Sequence, residues 1–195
     1  LKGVKSVVPY AVSANKFIVC ARGQHLDGKL VLVLVDSANP SVSLTPLKSI
    51  ANQSRAKVIF DDVPVSDEDL WIGEDKNPIN NSLESALQYS TLIQCGEMLW
   101  RAEKILELVT HYCTQRVQFG RPIGSFQALQ HQCADLKVSI DIARLLTYRA
   151  GCAILEGSPS AENVAMAKVG LNETSRMATA LGHGIFAGVS YTVEH

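Results

Sequence analysis

The chain has 195 residues, 47% of them hydrophobic and 19% charged, with 18 Lys and Arg against 19 Asp and Glu for a formal net charge of −1. That apolar fraction excludes disorder, and the balanced charge, with no basic run, leaves no electrostatic footprint for a nucleic acid or an anionic membrane. The longest aliphatic run, Leu30 to Val35, is far short of the ~20 residues of a membrane-spanning helix and ends at Asp36, so it predicts a buried strand and no membrane span.

The segment from Leu1 has neither a basic n-region nor an apolar h-region, so no secretory signal is visible. In the first eighty residues, Lys16 to Ala21, Lys29 to Val35 and Ala56 to Phe60 are short β-rich runs. Turn material bounds them: Asp27-Gly28, Asn39-Pro40 and Asp61-Asp62. With no helical period between them, the runs predict an antiparallel sheet or barrel. Val63-Pro64-Val65 suits a sheet edge or a strand exit. Asp67 to Asn81, mostly polar and holding Gly73 and Pro78, is the best candidate for an interdomain connection.

From about Ser82 the period becomes that of a helix. Cys95, Leu99, Ala102, Leu106, Val109 and Cys113 alternate steps of four and three, which puts them on one face. Leu129, Cys133, Leu136, Ile140 and Ala143 form a second face. Val164, Ala167, Leu171, Thr174, Ala178 and Leu181 form a third, with Ser158 as its expected N-cap and Pro159 at the first helical position. Three such helices predict part of an antiparallel bundle, so the fold class is α+β: a β-barrel portion over 1–80, then a helical bundle over 81–195 with no paired strands. Apolar stripes are left over, and further sequence or a partner chain is expected to cover them.

Few segments suggest chemistry. Cys20, Cys95, Cys113, Cys133 and Cys152 form no C-x-x-C pair and read as small buried hydrophobes in a reducing compartment. The five histidines have no metal-ligand spacing, so no metal is expected. Asn52, Asn80 and Asn172 open N-x-S/T triplets that carry no weight without a secretory signal. Gly182 to Ala187 matches G-x-G-x-x-A, but the glycines follow a helix instead of a strand, and helix termination by glycine is the better reading. The informative stretch is Tyr112 to His131, read as a helix end, a turn made by Gly120 and Pro122, and a new helix start. Arg116 and Arg121 flank Phe119 there. An arginine beside an exposed aromatic can hold a phosphate and stack an adenine, although on spacing alone a hairpin corner whose arginines cap helix carbonyls is favoured.

The segment Arg116-Val-Gln118-Phe119-Gly120-Arg-Pro122-Ile123-Gly-Ser-Phe126-Gln127-Ala-Leu-Gln130 closely resembles the R-x-x-F-G-x-P-I-x-x-F-Q-x-x-Q motif of the acyl-CoA dehydrogenase family. Leu1 to Lys5, Ile59 to Val65 and Tyr191 to Glu194 resemble other phrases of that family. The resemblance implies an FAD flavoprotein that takes the α proton of an acyl-CoA with a glutamate and sends the β hydride to flavin. It also implies assembly as a homo- or hetero-tetramer, an electron-transfer acceptor, and a location in the cytoplasm or, in a eukaryote, the mitochondrial matrix. By resemblance, Arg116 and Gln118 reach the FAD pyrophosphate of a neighbouring subunit. Phe119, Ile123 and Gln127 pack the adenosine half, and Gly188 is the glycine kept from a second pyrophosphate segment.

Other positions depart from the family pattern. Pro9 stands where a threonine bonds the flavin ring and offers neither hydroxyl nor N–H. Gly184, Ala187 and Ser190 replace the glutamine and two glycines of Q-x-x-G-G-x-G. The usual base lies beyond Glu194, and Ser90 occupies the alternative base position with Thr91 beside it, so no catalytic base is assigned. Three readings follow: an acyl-CoA dehydrogenase, a non-catalytic subunit that completes the FAD site of a catalytic partner, and an acyl-CoA oxidase or another flavin enzyme on the same fold.

Overall fold

The computed structural model describes residues 1–26, 28–49, 53–72, 78–158 and 160–192, with the backbone alone for His25, Pro78 and Asn80. Asp27, Asn52, Gly73, Pro159, Val193 and Glu194, each part of an expectation above, lie outside the described residues. The chain divides into two compact units, Leu1–Leu83 and Glu84–His195.

The first unit holds six strands: β1 (Gly3–Pro9), β2 (Lys16–Arg22), β3 (Leu30–Asp36), β4 (Val42–Leu47), β5 (Arg55–Phe60) and β6 (Leu70–Ile72). They form two antiparallel three-stranded sheets, ordered β1-β5-β4 and β2-β3-β6. Alternation turns Phe17, Val19, Val31, Val33 and Val35 of one sheet, and Ala56, Val58 and Phe60 of the other, into one core. There Phe17 and Phe60 meet edge to face at 6.2 Å. The run Leu30 to Val35 is buried on one face only. Leu32 and Leu34, paired with Cys20 and Ile18, are half-buried on the other, where Ile18 is 67% and Trp71 64% exposed. Sequence could not separate the two faces because both are aliphatic. The proposed connection is also partly structured: Leu70–Ile72 pairs with β3. Its Trp and Ile were outweighed by the polar residues around them. Val63 exchanges backbone hydrogen bonds with Leu1, which marks a strand exit.

The second unit is built on three helices, α1 (Pro78–Gln115), α2 (Gln127–Leu155) and α3 (Ala161–Phe186). Among the described residues no α-helix precedes Pro78, and no helix is long and apolar enough to cross a membrane. Leu99 and Ala102 of α1, Leu136, Ile140 and Ala143 of α2, and Val164, Leu171 and Ala178 of α3 form one core, with Leu106 half-buried at its margin. Buried hydroxyls are satisfied locally: Thr174 Oγ1 lies 2.7 Å from Ser139 Oγ and 2.9 Å from the Gly170 carbonyl. Arg144 ties α2 to Glu103 of α1 while also bonding Asp141. The cap of α3 is Ser160, two residues later than expected, and its hydroxyl bonds Gln88 instead of the helix. Ser158 belongs to the preceding turn, its N–H bonded to Ala153 O. Of the five cysteines, Cys95 and Cys113 are buried and Cys152 is exposed, which departs from the expectation of burial for all. Burial pushes the thiols of Cys95, Cys113 and Cys133 up from the ordinary value.

Candidate functional site

The stretch after α1 is a miniature hairpin. Val117–Gln118 (β7) pairs antiparallel with Arg121–Pro122 (β8), so the second half of the chain does contain paired strands, against expectation. Helical periodicity cannot register a two-residue ladder. The turn residues are Phe119 and Gly120, not Gly120 and Pro122, and both have positive φ, 55° and 77°. A two-residue loop with that signature is a type I′ turn, whose twist matches antiparallel strands. Gly120 takes its place without strain, whereas Phe119 is an aromatic in the left-handed region and 92% exposed. A 3-10 turn, Ile123–Ser125, then leads into α2. A Cβ at Gly124 would come within 3.0 Å of the Cys113 carbonyl, so the absence of a side chain lets this turn lie on the last turns of α1. Gln130 Nε2 donates to the Gly124 carbonyl at 2.8 Å and ties the turn to α2.

The opposing wall comes from α3, which runs through Gly182 and Gly184 to Phe186, so those glycines do not end it. Gly182 is buried, and a Cβ there would meet Ile105 at 3.3 Å, so close packing explains it better than termination. The helix stops at Ala187, whose N–H bonds the His183 carbonyl and whose φ and ψ are 51° and −131°. A 3-10 turn, Ala187–Tyr191, follows.

Between these walls lies a cleft of about 700 Å³, within the usual size of a small-molecule site. Arg116, Gln118, Phe119, Ile123 and Gly188 all line it, with Tyr112, Phe126, Leu129, Ile185 and Ala187. Gln127 does not: it is exposed on the first turn of α2. Among the lining side chains Arg116 is the one permanent ion, and no carboxylate accompanies it. Among the described residues no carboxylate or helix carbonyl pairs with its guanidinium, which leaves the carbonyl-capping alternative without a contact. Arg121 lies over the Phe126 ring at 4.1 Å, and that ring meets Phe119 edge to face at 6.1 Å. Gln118 Nε2 donates to its neighbour's carbonyl, Val117 O, at 2.8 Å. Tyr112, four residues before Arg116, was the missed wall residue with a signal, since helical spacing puts it on the arginine's face. Ala187 and Val189 had only their place in the segment that resembles Q-x-x-G-G-x-G.

An apolar cleft with aromatic walls and one unpaired cation suits an amphipathic anion, a heterocycle joined to phosphate. The adenosine-diphosphate end of FAD has that chemistry, so the residues present fit it. A Cβ at Gly188 would meet nothing within 4 Å, so the wall is open there.

Residues 81–195 match the family described as acyl-CoA dehydrogenase, C-terminal domain. The chain belongs to the acyl-CoA dehydrogenase family. The fold and family expected from the resemblance are thereby borne out, and members of this family are flavoprotein oxidoreductases. Over 106 residues the chain is 40% identical to the acyl-CoA dehydrogenase IpdE2 of Mycobacterium tuberculosis, covering 54% of this chain and 32% of that protein. Butyryl-CoA dehydrogenase from Megasphaera elsdenii superposes with a TM-score of 0.89 at 27% identity, over 100% of this chain and 52% of that one. The ChsE4-ChsE5 complex from Mycobacterium tuberculosis gives 0.87 at 26% identity, over 100% and 51%. The chain thus spans about half the length of the solved family members it matches.

On the reaction side of the family pattern, Pro9 ends β1, paired with Arg55. Ser90 is exposed on α1 and donates to the Leu87 carbonyl at 3.0 Å. Among the described residues neither a histidine nor a carboxylate bonds that hydroxyl. Nor, among those residues, do three His, Cys, Asp or Glu side chains converge to hold a metal ion.

Proposed function

We propose that this chain contributes the adenosine-diphosphate end of the FAD site in an acyl-CoA dehydrogenase that introduces the α,β double bond of an acyl-CoA thioester. The observation that carries this reading is Arg116, a lone cation in a largely apolar, aromatic cleft. Bound FAD supplies the acceptor for the β-carbon hydride. Arg116 can give two parallel charged hydrogen bonds to phosphate oxygens, and Gln118 can turn its amide from Val117 O to a third. Phe119 and Ile123 seat the adenine, and Gly188 lets the backbone come close to the anion. Gln127 rests on the resemblance alone. The acyl-CoA, the tetrameric assembly and an electron-transfer acceptor belong to this reading of the whole protein.

Ser90 favours a second reading, a subunit that completes the FAD site of a catalytic partner. A serine hydroxyl bonded to a backbone carbonyl has no base beside it to let it take an α proton. The neighbour ChsE4-ChsE5 is a complex of two differently named chains, which is the arrangement this reading requires. FAD content and turnover of the full-length protein separate the two. Arg116→Ala should weaken FAD retention by ~1.5–3 kcal/mol, as expected for lost charged hydrogen bonds. Ser90→Ala should leave turnover unchanged. Unaltered FAD binding in the first variant refutes the site assignment, and loss of turnover in the second with folding intact restores Ser90 to the chemistry. FAD retention without turnover unless a paralogue is added establishes the second reading.

A further inference from the structure

The wall that follows α3 contains a backbone conformation natural to glycine and occupied by alanine. At Ala187 the φ of 51° with ψ of −131° sets the Cβ against its own backbone. Three contacts hold the segment there. Ser190 Oγ donates to the Ala187 carbonyl at 2.6 Å, His183 Nδ1 lies 2.9 Å from Ser190 Oγ, and the His183 ring stacks on Tyr191 at 5.0 Å and 18°. A hydroxyl has one proton. With that proton given to Ala187, Ser190 can only accept from the imidazole, so Nδ1 carries the hydrogen.

We infer that His183 is a positioning residue: as its Nδ1–H tautomer it clips Ser190 and Tyr191 and so holds the 187–192 wall of the cleft against the strain at Ala187. It is not part of the cleft lining: His183 and Ser190 line a separate cavity of about 150 Å³ beside Ile105 and Leu108. The segment they fix lines the cleft through Gly188, Val189 and Thr192. The clip and the strain it opposes stand on geometry, and only the identity of the ligand rests on the FAD reading above.

The test uses full-length protein labelled at histidine. Long-range proton–nitrogen correlation at alkaline pH, with His183 assigned by its loss in His183→Phe, should show the Nδ1–H tautomer, and Ser190→Ala should return it to Nε2–H. His183→Phe, which keeps a stacked ring without the donor, and Ser190→Ala should each speed FAD release about tenfold. His183→Asn, which restores a donor near Nδ1, should recover part of that loss. Ala187→Gly removes the strain, so in that background either clip variant should release FAD within about twofold of Ala187→Gly alone. An Nε2–H tautomer in the wild type, wild-type release rates in both clip variants, or an undiminished effect in the glycine background would each overturn the inference. If wild-type protein retains no FAD, the FAD reading falls. The clip is then judged by the tautomer and by whether Ala187→Gly cancels the Tm loss of Ser190→Ala.

Discussion

The two walls of the cleft solve one problem differently. Each must turn the chain sharply with positive φ. The hairpin wall puts Gly120 where the turn needs it and accepts one left-handed aromatic, Phe119, at the tip. The α3 wall has alanine at the corresponding demand and adds His183, Ser190 and Tyr191 to hold it. The family resemblance divides along the same line, with motif residues retained on the hairpin and, apart from Gly188, replaced on the other wall. With Ala187 and Ser190 where the family pattern has glycine, and Gly188 alone of the three kept, this wall keeps its shape through side chains, and its precision then depends on groups outside the cleft lining.

The comparison can be broken first by removing what both walls stand on. Leu171, fully buried on the inner face of α3, joins the same core as Leu136 of α2. Leu171→Ala should cost ~2–5 kcal/mol in denaturant unfolding. If so, FAD retention should fall with the folded fraction, without a separate effect on the site. A loss under ~1 kcal/mol would mean that this core does not support the walls.

Opposite signs at the two turns would sharpen it. Gly120→Ala should destabilise by about 1 kcal/mol, because a Cβ is added at positive φ. Ala187→Gly should stabilise by up to about 1 kcal/mol, because one is removed. Thermal melts of the two variants decide this, and equal signs would erase the distinction between the walls.

Smaller still is an acid effect confined to the helices joined by the hairpin. The hydrogen bond from Lys137, assisted by Arg144, holds the Asp141 carboxyl below its ordinary value. A folded-state pKa below the unfolded one contributes stability that is present above the ordinary Asp value of ~4 and is lost as pH falls through the depressed value. Asp141→Asn should flatten that limb of the stability–pH curve and lower the plateau near pH 7 by the same small amount, small because the pair is exposed. Thiol labelling probes the same helices, and Cys152, exposed near the end of α2, should react before Cys95 and Cys113.

Local pattern determined the three long helices and three of the six strands of the first unit, β1, β4 and β6 lying outside the runs it marked. Leu99, Leu136, Ile140 and Leu171 are buried where steps of three and four put them, and β2, β3 and β5 lie within a residue of their β-rich runs. These are local signals, because a helix face or a strand face is set by spacing along the chain. The Arg116 to Gln130 string likewise pointed to one wall of the cleft from sequence. Which face of the aliphatic run Leu30 to Val35 is buried, whether Leu70–Ile72 finds a partner strand, and which arginine faces the cleft were decided by tertiary structure. Arg116 and Arg121 are chemically alike, and a Phe126 ring 4.1 Å away makes one a stacking partner and leaves the other without a charge partner among the described residues. Nor could spacing show that α3 runs on through Gly182 and Gly184 to Ala187. Glycine only permits a helix to end, and burial of Gly182 against Ile105 outweighs that permission through contacts with another helix.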